Sequence, residues 1–309
     1  MDDLMAYAYR PAAHLTAEGD DAADFLQSQF SNDLRPFGAG ACTYGLWLSA
    51  KGKVQSDGWV LQTGAESFRI VSEHCLAGDI TAHMQRHIVA DDVEIRPGAD
   101  LAGLSLVGAG ATGALRGLGL EVPAAGSFCR GEGVVVFPGR RSSKPSYELL
   151  FEGEGGFALA REQLEKAGAA FVSEDWIQLE RMQAGVPAIP AELGPDDLPG
   201  EADLTGDAVS LNKGCFLGQE VVARMHNVGR PRRGLHVLHG SGPIPAVPAE
   251  IHNEAGGVAG WLRSACARGE GWQGVAMLKL SAVEAGVSLR LHEEFVSLAG
   301  RLPAAFTAE

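Results

Sequence analysis

The sequence predicts an α+β fold that ends in a small all-β domain. Three observations carry this. Strand and helix patterns are interleaved through the first two thirds of the chain. Two helical segments, "FALAREQLEKAG" and "SEDWIQLERMQAG", each stop at a glycine, the usual C-terminal signal. From Gly229 onward the character changes to short strands separated by Gly/Pro turns. The chain has 309 residues, enough for two or three packed cores. Its 46% hydrophobic and 21% charged content is that of an ordinary globular protein.

Taken in order, "TYGLWLSAKGKVQSDGWVLQ" predicts a β-hairpin turning at Lys51-Gly52, and "SFRIVS" a short strand. "HCLAGDITAHMQRHIVA" predicts a helix with Leu76, Ile80, Met84 and Ile88 on one face, followed by the strand "DVEIRP". Strand–strand–helix–strand order of this kind builds a compact α+β module. "LAGLSLVG" predicts a buried strand, and "VVVFP" and "YELLFEG" two more. Residues 185–210 are rich in proline, glycine and acid and have no period, which predicts a long packing or functional loop. "GLHVLH", "GVAGWLRS" and "GVAMLKL" are the strands of the C-terminal domain, which begins near residue 230.

Composition excludes several function classes. No apolar run approaches the ~18 residues of a transmembrane helix. The start, "MDDLMAYAYR", lacks a signal peptide's basic and apolar regions, so a cytoplasmic location is expected. The five cysteines, Cys42, Cys75, Cys129, Cys215 and Cys266, are scattered and form no C-x-x-C, which argues against a disulfide framework or a metal site. Net charge of −14 argues against broad attraction to nucleic acid or membrane.

The charge is uneven, however. No acidic residue occurs from Val221 to Ala249, a span that holds Arg224, Arg230, Arg232 and Arg233. Arg230, Arg232 and Arg233 are a candidate anion patch. The alternative is that they pair with the preceding acidic stretch, Glu192 to Asp207, across a domain seam.

Four local patterns carry candidate chemistry. "GAGATG" at 108–113 matches G-x-G-x-x-G, but no acidic residue on a following strand completes a dinucleotide site, so a tight strand-to-helix turn is expected. His83 and His87 stand four apart on a helix, without the Glu or third ligand of a metal site, and a solvated face is expected. Asp57, in the second hairpin strand, is either an inward carboxylate able to act in acid–base chemistry or an edge residue near a turn. Glu148 is either the polar side of an alternating strand or a buried carboxylate. In the second case it would accept two parallel N–H bonds from an amino-pyrimidine edge.

The densest pattern is "LNKGCFLGQEVVARMHNVGRPRRG", residues 211–234. Gly214 and Gly218 allow tight turns around Cys215. Lys213 and the arginines would lower a nearby thiol's pKa. A small buried hydrophobe is the commonest fate of a free cysteine.

"KGCFLGQEVVAR" closely resembles the K-G-C-[FY]-x-G-Q-E block of the YgfZ family, which places Lys213, Gly214, Cys215, Gly218, Gln219, Glu220 and Arg224 in one motif. Other segments extend the resemblance over most of the chain: "EGDDAADFLQSQFSNDLRPF", "YGLWLSAKGKVQSD" and "DWIQLERMQAGVPAI". These are folate-binding proteins linked to iron–sulfur cluster maintenance and related to the glycine-cleavage T-protein, an aminomethyltransferase.

The resemblance implies a T-protein-like ring of three subdomains around a central cavity for tetrahydrofolate or a one-carbon derivative. It implies a compound folate-binding region at 1–229, with a smaller ferredoxin-like subdomain nested in it, and a β-barrel at 230–309. By position, Asp57 matches an aspartate near the reactive folate nitrogens, Glu148 a pterin-holding glutamate and Tyr44 a tyrosine of the first hairpin strand. Cys215 and Asp57 are the candidate catalytic residues, and Lys213 and Glu220 are expected to fix their loop by ion pairing or capping, with Cys215 beside the cavity.

The implied role is that of a folate-dependent accessory to iron–sulfur enzymes or their assembly factors, with an indirect effect on tRNA modification. If the chain is an enzyme, the resemblance implies a folate-dependent one-carbon transferase of the aminomethyl or methyl type. Three departures count against that alternative. Ser56-Asp57 replaces paired aspartates, Glu174 falls where the T-protein has arginine, and "SKPS" replaces a G-E-D-G turn.

Overall fold

The computed structural model describes residues 4–302. The first half runs β1 (Met5–Tyr9), β2 (Ala13–Glu18), α1 (Ala22–Gln29), β3 (Cys42–Leu48), β4 (Val54–Gln62), β5 (Ser67–Ser72), α2 (Ala77–Gln85) and β6 (Glu94–Pro97). It continues through β7 (Leu101–Val107), α3 (Ala111–Gly117), β8 (Cys129–Gly131), β9 (Val134–Pro138), β10 (Ser146–Glu152), α4 (Glu154–Lys166), β11 (Ala170–Phe171) and α5 (Glu174–Gln183). Two sheets result, with strand orders β3-β4-β5-β2-β6 and β11-β1-β7-β10-β9-β8. The first is nested between β1 and β7, which pair with each other in the second.

The hairpin β3–β4 and strand β5 stand where the sequence puts them. Helix α2 is shorter than its pattern. Ile80 and Met84 are buried, but Leu76 is exposed at the N-cap. The strand β7 is buried along its whole length. It lies antiparallel to both β1 and β10, so the "GAGATG" turn after it has no parallel βαβ unit and binds no dinucleotide in that manner. Helix α5 starts at Ser173, whose hydroxyl accepts from the Trp176 amide, and ends before Gly185 at φ 76°.

The aperiodic stretch after α5 is part of the core. Ile189, Leu193, Ala202, Leu204, Ala208 and Val209 are buried in the cluster that fills the nested sheet's face. A short 3-10 turn, Pro199–Ala202, interrupts it, and α6 (Gln219–Asn227) follows. Then come β12 (Arg233–Ser241), β13 (Ala249–Asn253), β14 (Val258–Arg268), β15 (Gly271–Lys279), α7 (Leu280–Glu284), β16 (Leu289–Leu291) and β17 (Glu294–Arg301). The six strands close into a barrel in the order β12-β15-β14-β13-β16-β17, leaving no free edge. Two sheets and a barrel therefore make the three parts of the fold. Among the described residues, no helix is long and apolar enough to cross a membrane.

Candidate functional site

A cavity lies where the two sheets meet the segment after α5. Its wall takes Tyr9 from β1, Tyr44 from β3, Asp57 and Trp59 from β4, and Glu73 and His74 from just beyond β5. Phe137 of β9, Glu148 of β10, Arg181 of α5 and the Arg140-Arg141 pair complete it, under a cover of Val186–Ile189. The inner space is narrow, about 60 Å³. A wider neighbouring cavity of about 590 Å³ shares Arg140 and Val186 with it and extends to Asp203 and Asp207.

The wall is a network of paired charges. Glu148 stands opposite Ser105 in the β10–β7 register, and the Ser105 hydroxyl donates to its Oε1 at 2.9 Å. Tyr9 donates to Oε2 at 2.8 Å. Arg141 brings Nε to 3.5 Å from Oε1 and Nη2 to 3.1 Å from Glu73, and its guanidinium lies 4.0 Å over the Tyr9 ring. Burial raises the Glu148 carboxyl above its ordinary value, against the pull of Arg141. Burial acts on Glu73 in the same sense, but Arg141 and His74 outweigh it and hold Glu73 at about 2.

Asp57 faces the same space. Its Oδ2 accepts from Tyr44 at 2.6 Å, and Oδ1 receives the Cys75 thiol at 3.3 Å and the Ser72 hydroxyl at 3.4 Å. Burial raises the Asp57 carboxyl, and the Tyr44 and Cys75 contacts partly offset this. Burial, with Asp57 beside it, pushes the Cys75 thiol to about 12, so it stays protonated and acts as a donor. The Arg140 guanidinium covers the Tyr44 ring at 3.5 Å and pairs with Asp207.

Behind the wall, Arg181 makes a two-pronged pair with Glu192 at 2.8 and 2.9 Å. Glu192 also accepts from the Ala188 amide and from Ser264 of the barrel. The barrel's Arg263 holds Asp197. The cover segment is thus fastened to the barrel by charge, and through Arg181 to the cavity.

The structure brings Tyr44, Asp57 and Glu148 to one cavity. It places the K-G-C motif elsewhere. Cys215 and Gly214 are exposed, and Cys215 is not part of the lining of either cavity. Lys213 is buried and makes no ion pair among the described residues; of the expected ion pairing or capping, its contacts are of the capping kind, at the C-cap of α1. Its Nζ donates to the carbonyls of Phe30 and Asn32 at 2.7 and 2.6 Å. Burial lowers this amine to about 7.

Gly218, at φ 82°, lies against the hairpin turn. A Cβ there would meet the Ser49 carbonyl oxygen at 2.5 Å and the Gly52 Cα at 2.9 Å. Gln219 and Glu220 open α6, with Glu220 exposed in its first turn. The motif is therefore a backbone joint between the hairpin turn, the chain after α1, and α6.

Two further expectations need correction. His83 is buried rather than solvated, and burial, together with His87 and Arg86, lowers it to about 4. Among the described residues, no group of three or more His, Cys, Asp or Glu is placed to hold a metal. Of the anion patch, Arg233 is committed to Glu201 and Asp197 at 2.9 and 3.0 Å, the seam alternative, because those carboxylates are buried beside it. Arg224, Arg230 and Arg232 are exposed.

Sequence reasoning missed Tyr9, Glu73, His74, Arg140, Arg141 and Arg181. An available signal was the Arg-Arg pair in "FPGRRSSKPS", two cations in a turn between apolar strands. Glu174, in place of the T-protein's arginine, is exposed at the start of α5, and Arg181 of the same helix lines the cavity.

Comparison with known proteins agrees with this architecture. Residues 10–126 match the family model described as the GCVT N-terminal domain. The chain is 26% identical over 297 residues to the tRNA-modifying protein YgfZ of Serratia proteamaculans (strain 568), covering 92% of this chain and 87% of that one. It is 27% identical over 234 residues to the YgfZ protein of Sodalis glossinidius (strain morsitans), covering 75% and 70%. The crystal structure of glycine cleavage system aminomethyltransferase T from Bartonella henselae matches with a TM-score of 0.81 at 17% identity, over 97% of this chain and 86% of that one. The resemblance read from the sequence is upheld. The chain is similar to YgfZ proteins along nine tenths of its length and has the aminomethyltransferase T fold.

Proposed function

We propose that this chain binds tetrahydrofolate, or a one-carbon derivative of it, in the inner cavity. In this reading it works in the cytoplasm as an accessory to the assembly or repair of iron–sulfur enzymes and reaches tRNA modification through them. Residues 1–229 would form the folate-binding region and 230–309 the barrel that braces it. The observation that carries the reading is the state of Glu148. Each of its oxygens takes one short hydrogen bond, from Tyr9 and Ser105. A carboxylate oxygen has two lone pairs, so Oε2 retains room for a donor from a ring's amino edge, and Oε1 does so beside the long 3.5 Å approach of Arg141 Nε.

The residues present fit such a group. Glu148 would take the amino edge of the pterin, and Trp59, Phe137 and Tyr44 supply the aromatic lining. Asp57, held by Tyr44, would stand near the ring nitrogens. A bound reduced folate supplies the carrier for a one-carbon unit. The inner space holds only an edge of a bicyclic ring, so the rest would lie across Arg140 toward the wider cavity. The names of the Serratia and Sodalis relatives support the tRNA link, and the K-G-C-F-x-G-Q-E block supports the iron–sulfur one.

Calorimetric titration of the purified chain with tetrahydrofolate and 5-formyl-tetrahydrofolate tests this. Saturable binding is expected, weakened about tenfold or more by Glu148→Gln, the scale of one hydrogen bond to a charged group. No response to any reduced folate would overturn the reading.

The second reading, a folate-dependent aminomethyl or methyl transferase, is favoured by Asp57 in the cavity wall. Turnover with the other glycine-cleavage components, lost in Asp57→Asn, would establish it. The exposed Glu174 and the K-G-C motif count against it.

A further inference from the structure

Arg141 lines the inner cavity and is 5% exposed. It is held from several sides: by Glu73 at Nη2, by Glu148 beside Nε, and by the Tyr9 ring under its plane. The same residue carries a buried nitrogen with no hydrogen-bond partner, Nη1. A buried guanidinium N–H left without an acceptor is costly, and native proteins rarely leave one so. Both carboxylates beside it are themselves in the cavity wall, Glu73 from just beyond β5 and Glu148 from β10, so the cluster is built around the cavity where the two sheets meet.

From this we propose that Arg141 and Glu148 together read a 2-amino-4-oxopyrimidine edge, Glu148 accepting its two N–H groups and Arg141 Nη1 donating to its 4-oxo oxygen. The proposal deepens the folate reading and rests on it. The wall offers two acceptors and one donor, and this edge offers two donors and one acceptor. A 4-amino ring has no ring N–H to give the second oxygen of Glu148, and it also replaces the acceptor with N–H donors set against a fixed cation that has only donors to give. Arg141 is thus a specificity residue that favours 4-oxo rings over 4-amino rings. Guanine presents the same donor–donor–acceptor edge as a 4-oxo pterin, so a guanine nucleotide is the other source of this chemistry.

The test uses the full chain and calorimetry with three probes: tetrahydrofolate, its 4-amino counterpart and guanosine monophosphate. Tetrahydrofolate should bind at least about tenfold more tightly than the 4-amino ring, the value of one charge-assisted hydrogen bond. Arg141→Lys keeps the cation for Glu73 and Glu148 but loses the planar third donor. It should lower the ratio of the two affinities several-fold, Glu148 keeping its own share of the preference, while leaving the far-ultraviolet dichroism unchanged.

Equal affinity of the native chain for the two rings, or an unchanged ratio in Arg141→Lys, overturns the proposal and leaves folate binding standing. Should Arg141→Lys fail to fold, Arg141→Met, which also removes the donor, is read in the same way. Binding of none of the three probes removes the folate reading and this one together. Arg141-dependent binding of guanosine monophosphate in place of tetrahydrofolate keeps the edge assignment and makes the ligand a guanine nucleotide.

Discussion

The cavity wall and the Lys213–Glu220 loop both contain buried cations, and they satisfy them differently. In the wall, Arg141 and Arg181 each meet carboxylates, the half-buried Glu73 and the buried Glu148 for one and the buried Glu192 for the other. In the loop, Lys213 donates to the backbone carbonyls of Phe30 and Asn32 and lies over the Phe216 ring, with no carboxylate paired to it among the described residues. A charge-on-charge network is held in place by residues far apart in sequence and collapses when one partner is removed. A cation on carbonyls clamps local backbone and loses only its own hydrogen bonds when removed. The wall is therefore a shaped electrostatic surface, and the loop is a fastener that leaves its cysteine outside.

This contrast can be broken by substitution, and the largest effect should come from the wall's brace. Glu192→Ala strands the Arg181 cation in a buried position and should lower stability by about 3–5 kcal/mol. Urea unfolding measures this, and a loss under about 1 kcal/mol would show that the brace is solvated.

A smaller effect separates paired from unpaired buried groups by pH. His83 is buried without a partner at Nε2 and falls from 6.5 to about 4, so the folded chain favours its neutral form. Its contribution is present above pH 6.5 and is lost as pH falls through about 4, roughly 3 kcal/mol in all. Glu73, lowered from 4.5 to about 2, has its own window, with stability lost only between those values. His83→Leu should flatten the upper window and leave the lower one. An unchanged stability profile between pH 6.5 and 4 would place the acid sensitivity elsewhere.

Next comes the fastener. Lys213→Met takes the Nζ donor from one buried and one half-buried carbonyl and should cost about 1–3 kcal/mol, read from the urea midpoint. A cost as large as that of Glu192→Ala would mean that Lys213 meets a charge after all.

The smallest effect belongs to Cys215→Ser. Cys215 is exposed, so the change should stay within about 0.5 kcal/mol and leave folate affinity as it was. A cooperative loss of melting temperature would make the cysteine a packing residue and erase the contrast.

Particular residues show what was legible in advance. The hairpin turning at Lys51-Gly52 and the strand "SFRIVS" follow from alternation and turn chemistry, which act over a few residues. Glu148 and Asp57 were visible as carboxylates interrupting apolar strands, but their inward direction was not, since the period-two pattern around each admits both faces. His83 shows the reverse error. A helix's polar spacing gives no notice that a neighbouring sheet will cover it.

The sequence by itself determined the β3–β4 hairpin, the strands and helices from β5 to α5 that carry a clear period, the change to β structure near residue 230 and the family likeness of the K-G-C block, because each is written in contiguous residues. Only the tertiary structure decided that Tyr9, Glu73, Arg141 and Glu148 share one wall, that Arg233 faces Glu201, and that Gly218 rests on the turn at Gly52. Those partners are separated by tens to more than a hundred residues, and charge pairing and backbone contact depend on distance through space, which local pattern does not encode.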